Sequence, residues 1–84
     1  MSKKEKLIKK LKSKPKDMTY EELKTLLRLL SFYESNKGKT SGSRVMFMNE
    51  AKLEILIHKP HPTNIMKEYQ IKNIVNKLEQ EGII

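Results

Sequence analysis

The chain has 84 residues, and its 18 lysines and arginines against 10 acids give a net charge of +8. That length holds one modest core, so a single domain is expected. The absence of cysteine excludes disulfides and thiolate metal sites, and two histidines cannot by themselves build a three- or four-ligand zinc centre. No apolar run approaches the roughly 20 residues of a membrane span, and no signal-peptide core follows the lysine-rich start. A cytoplasmic chain with no metal, cofactor or membrane partner is therefore expected.

The basic excess is concentrated at one end. Residues 1–16 carry eight lysines against Glu5, leaving a net charge of only +1 from Asp17 onward. Leu7, Ile8 and Leu11 stand at i, i+1 and i+4, which predicts a short helix over 3–13 with one apolar side and lysine elsewhere. Pro15 disfavours helical geometry at Lys14, so a basic arm (1–16) is set off from the main domain (17–84). The arm reads either as a solvated, solubilising face or as a phosphate-attracting one whose pull is blind to sequence and sensitive to salt.

Thr19 followed by Glu22 is a capping-box pattern, and Met18 precedes it as a staple for Leu23. Leu23, Leu26, Leu27 and Leu30 then recur at i, i+3, i+4 and i+7, which predicts a core-facing helix through Leu30. Phe32 and Tyr33 open a short β-prone run, closed by a polar loop over 36–42 that holds Lys37, Lys39 and Gly42.

Residues 43–48 and 52–58 alternate as two strands joined through Asn49, Glu50 and Ala51. Val45, Phe47, Leu53, Ile55 and Ile57 take the face toward the helices. Arg44, Met46, Met48, Glu54, Leu56 and His58 share the other, which makes that surface the candidate site. The methionines there are expected either to lie under the N-terminal helix, the reading preferred, or to offer a partner apolar contact.

Pro60 and Pro62 remove ladder donors, so 59–64 must leave the sheet as a rigid connection. A last helix over 67–81 follows from the stripe Ile71, Ile74, Val75 and Leu78, with Gly82 as its stop and Ile83 and Ile84 packing back.

Several residues together resemble the HicA toxins, small RNA-cleaving proteins of toxin-antitoxin pairs. They are Gly42-Ser43 before Val45 and Phe47, His61-Pro62 after the last strand, Met66-Lys67 at the final helix, and Ile71 and Ile74 on its buried side. The resemblance runs from about Thr19 to the C-terminus. It implies an α+β fold like that of double-stranded RNA binding domains: an α-β-β-β-α core with a three-stranded antiparallel sheet and two helices on one face. The basic N-terminal helix is extra. It also implies an mRNA-cleaving endoribonuclease without metal, and a HicB-like antitoxin as partner, the chain being a monomer or in complex with that antitoxin.

One position departs from the family pattern. Where the family reads Gly-Ser-His, with the histidine as its catalytic group, this chain has Arg44. Arginine keeps its proton at physiological pH and cannot act as a general base, although it can grip a phosphate through two parallel hydrogen bonds. The acid-base role then passes to His58 or His61, and alternation favours His58, which shares a sheet face with Arg44. The catalytic candidates are therefore His58, His61 and Arg44. The RNA-binding candidates are Lys37, Lys39, Gly42, Ser43, Arg44, Lys59 and Lys67, suited to phosphate contact rather than base reading. Tyr33 and Tyr69 could stack on bases if exposed. Two other readings of the same residues are a non-catalytic RNA-binding module, in keeping with Arg44, and a protein-interaction module, in keeping with the near-neutral charge after Asp17.

Overall fold

The computed structural model describes residues 2–35, 44–60 and 63–84. In chain order the elements are α1 (Lys3–Lys12), α2 (Tyr20–Leu29), β1 (Tyr33–Glu34), β2 (Arg44–Met48), β3 (Glu54–His58) and α3 (Glu68–Gln80). The strands form one antiparallel sheet in the order β1-β2-β3. This is the α-β-β-β-α core expected, preceded by the extra helix.

The start of α2 and the stops of α2 and α3 have legible reasons. Thr19 closes the capping box of α2: its hydroxyl accepts the Glu22 N–H at 3.1 Å, and its own N–H donates to Glu22 Oε1 at 3.1 Å. α2 ends with Ser31 at φ 70°, its N–H donating to the Arg28 carbonyl and the Phe32 N–H to Leu27. α3 ends in the same paired pattern at Gly82, φ 70°, with Gly82 donating to Glu79 and Ile83 to Leu78. Both are Schellman stops, in which a left-handed residue turns the chain back onto the last carbonyls. At the end of α1, Lys14 takes φ 52° and donates to Leu11, but the next residue is Pro15 and has no N–H to give the second bond.

The apolar stripes meet in one core. Leu23, Leu26 and Leu27 of α2, and Ile71, Ile74, Val75 and Leu78 of α3, pack with Phe47, Ile55 and Ile57 from the inner sheet face. Met18, Phe32 and Met66 complete it, and Leu53, Ile83 and Ile84 lie partly buried against it.

Leu7 and Leu11 carry α1 into the same core, where it packs against α2 and α3. The expectation that this helix covers the methionine face of the sheet is thereby corrected: Leu56 in the middle of that face is 44% exposed. Two leucines on a short helix fit any apolar surface, and the helix pair offered one. A carboxylate fastens the arrangement. Lys10 Nζ donates to Glu22 Oε2 at 2.9 Å and Oε1 at 3.2 Å, so the residue that caps α2 also holds α1. The Lys10 ammonium, and after it the Thr19 N–H, hold the Glu22 carboxyl below its ordinary pKa. The same bond raises that of Lys10.

Among the described residues, no helix is long and apolar enough to cross a membrane.

Candidate nucleic-acid interface

β2 and β3 are joined by a tight turn. Asn49 N–H donates to the Leu53 carbonyl at 3.2 Å, Asn49 Oδ1 accepts the Leu53 N–H at 2.9 Å, and Lys52 takes φ 68°. A three-residue loop ending in a left-handed residue is a common hairpin closure, and here it sets the register. Arg44 pairs with His58, Met46 with Leu56 and Met48 with Glu54. Tyr33 extends the last row from β1, across from Met48.

Directly paired residues share a face, so Tyr33, Arg44, Met46, Met48, Glu54, Leu56 and His58 occupy one surface. The helices lie on the other, where Glu34 reaches Lys24 of α2 at 3.2 Å. Arg44 and Tyr33 are exposed on the open surface, and His58 is half-buried.

The Arg44–His58 pair is of the close kind. Both backbone groups of His58 turn outward from β2: its N–H donates to Gln70 Oε1 at 2.9 Å, and its carbonyl accepts from Gln70 Nε2 at 3.0 Å. Arg44 and His58 therefore exchange no ladder bonds. In such pairs the Cα atoms stand at about 4.5 Å and the side chains at their nearest. A guanidinium and an imidazole placed this way can take the two sides of one small anion, the first by parallel N–H donors, the second by giving or taking a proton.

Beside His58, between β3 and α3, lies a hollow of about 260 Å³ whose lining includes Leu56, Tyr69, Gln70, Asn73 and Lys77. Tyr69 is 57% exposed there, and Tyr33 on the sheet face is 59% exposed, so both rings are free to stack.

The remaining expected site residues fall elsewhere. Lys59 follows His58 but points its Nζ over the Tyr20 ring, 5.8 Å from the centroid. The Tyr20 hydroxyl is buried without a hydrogen-bond partner among the described residues, and burial raises its pKa. Lys67 is exposed at the N-cap of α3, where its side chain makes no capping bond. Lys37, Lys39, Gly42, Ser43 and His61 lie outside the described residues.

Gln70 was not among the expected site residues. Its signal is present in the sequence: position 70 stands four and eight residues before Ile74 and Leu78 on the buried stripe of α3, so an amide there must find partners inside. Residues 20–83 match the family model described as "HicA toxin of bacterial toxin-antitoxin". No curated protein and no solved structure matched the chain.

Proposed function

The chain belongs to the HicA toxin family, the toxin half of a toxin-antitoxin pair, and from that premise we propose that it is an endoribonuclease acting on messenger RNA through the open sheet face. The observation that supports this reading is the direct pairing of exposed Arg44 with half-buried His58.

In the proposed reaction the His58 imidazole takes the proton of a ribose 2′-hydroxyl, whose oxygen attacks the adjacent phosphorus. The bond from phosphorus to the 5′-oxygen breaks, and that oxygen takes a proton from His61 or from water. The products are a 2′,3′-cyclic phosphate and a free 5′-hydroxyl. Arg44 holds the non-bridging phosphate oxygens and stabilises the charge that builds on them, an effect commonly worth about 3 kcal/mol at a preorganised site. No step calls on a metal ion.

Lys37, Lys39, Gly42, Ser43, Lys59 and Lys67 are read as contacts to the RNA backbone. Residues 1–16, seated on the 17–84 domain through Leu7 and Leu11, are read as adding phosphate attraction. A HicB-like antitoxin would silence the toxin by covering the sheet face, where Met46, Met48 and Leu56 supply apolar contact around the Arg44–His58 pair.

The test is expression of the chain alone and as His58→Ala, His61→Ala and Arg44→Ala, followed by growth and RNA integrity, with the ends of purified cleavage products identified. Cyclic phosphate ends that persist in chelator and disappear with His58→Ala are expected. Equal decay from all four proteins would remove the site assignment.

A second reading is favoured by Arg44 standing at the family's histidine position: a module that binds RNA and does not cut. RNA left intact by the unmodified protein, together with affinity that falls steeply with salt, would establish that reading instead.

A further inference from the structure

We infer that Gln70 is a positioning residue for His58. The inference rests on the reading of His58 as the general base.

β3 is an edge strand, and its residues on the open face, Glu54, Leu56 and His58, turn their peptide groups away from β2. An edge position of this kind is ordinarily left to water. At His58 it is not. The Gln70 carboxamide supplies an acceptor at 2.9 Å and a donor at 3.0 Å, the two bonds that a further strand would have given. Gln70 is 6% exposed, the one buried polar residue among those described. Burying an amide carries a desolvation cost that those two bonds offset, and an apolar residue on the same stripe would have carried none.

The location gives the bonds their consequence. Two residues after His58 the chain reaches Pro60 and leaves the sheet, so without Gln70 the strand would fray at its last residue. With it, the φ and ψ of His58 are fixed from α3, and its Cα–Cβ bond is aimed at the open face across from Arg44. The imidazole then keeps only its two side-chain torsions. Proton transfer requires heavy atoms within about 3 Å, and an error of about 1 Å in placement costs on the order of 10²-fold in rate.

The experiment uses the isotope-labelled full chain and its Gln70→Met and Gln70→Glu variants. Methionine keeps the length and loses both bonds. Glutamate keeps the acceptor for the His58 N–H and lacks the donor for the carbonyl. In Gln70→Met, with Ile57 amide protection unchanged as proof of an intact sheet, His58 amide protection is expected to fall roughly 10-fold or more. The contacts that fix the His58 ring on the sheet face weaken, and kcat on RNA drops by about 10²-fold while KM stays within about twofold. Gln70→Glu falls between the two proteins in all three readouts, and it carries the test if Gln70→Met fails to fold. Unchanged ring contacts and unchanged kcat in a variant that has lost His58 amide protection would overturn the inference and leave Gln70 a structural clasp. If the unmodified protein does not cleave RNA, the nuclease reading fails separately, and an unperturbed His58 ring in both variants would still refute positioning.

Discussion

Arg44 and His58 face each other across β2 and β3 as a pair without ladder bonds, the closest approach that an antiparallel sheet allows two side chains. Positions 44 and 58 are therefore neighbours on one surface, so an imidazole placed on either strand would reach nearly the same point above the sheet.

From that adjacency comes a rescue. His58→Ala is expected to lower RNA cleavage by about 10²- to 10⁴-fold. Adding Arg44→His to it returns part of the loss, because the new imidazole stands one strand away. Initial rates on a defined oligoribonucleotide measure both, and a double variant no faster than His58→Ala would refute the shared-surface account.

Glu22 predicts a stability profile with two limbs. Its folded pKa lies below the ordinary one, so its contribution is full above the unfolded carboxylate value of about 4.3 and is lost as pH falls through the folded value. Lys10 is shifted upward, so its share is full below about 10.4 and is lost as pH rises through its folded value. Glu22→Gln should lower Tm most at neutral pH, with the gap to the unmodified protein narrowing in acid and again in alkali. Thermal melts across pH check this.

Ser31 holds φ 70° at the stop of α2, a conformation that glycine adopts without a Cβ clash. Ser31→Gly is expected to raise stability by about 0.5 to 1 kcal/mol, the relieved clash outweighing the entropy of the freer unfolded chain. Chemical denaturation reads the sign, and the matching change at Gly82, to alanine, should lower stability.

Leu11 is fully buried although it belongs to the basic extension. Leu11→Ala should cost about 2 to 5 kcal/mol, the range for a buried leucine whose site cannot collapse. A loss under about 0.5 kcal/mol would mean that α1 is a detachable arm.

The Tyr20 hydroxyl, buried and without a hydrogen-bond partner among the described residues, makes the opposite case. Tyr20→Phe removes a desolvated oxygen and keeps the ring under Lys59, so stability should rise by about 1 kcal/mol in urea melts.

The helices and the β2–β3 hairpin were readable because burial imposes a period on each: the four-leucine stripe, the Thr19–Glu22 cap, and the alternation of Val45, Phe47, Ile55 and Ile57 all lie in the chain itself. The Arg44–His58 register was not readable, since alternation assigns a face but leaves open which residue stands opposite which. That choice belongs to the turn. Nor was the seat of α1 readable, because Leu7 and Leu11 suit the sheet as well as the helix pair. Gln70 stands on the readable buried stripe of α3, but the sequence does not say which buried groups its amide meets, because the partners are backbone atoms of His58, 12 residues away in the chain.

The turn from Asn49 to Leu53 has a reach beyond its own residues. It lies at the far end of the hairpin from Arg44 and His58, yet its length measures off the distance along both strands to them. Lengthening or shortening it by one residue would slip one strand past the other and send either the guanidinium or the imidazole through to the helix side. The candidate site is thus gauged by five residues at the opposite end of the hairpin.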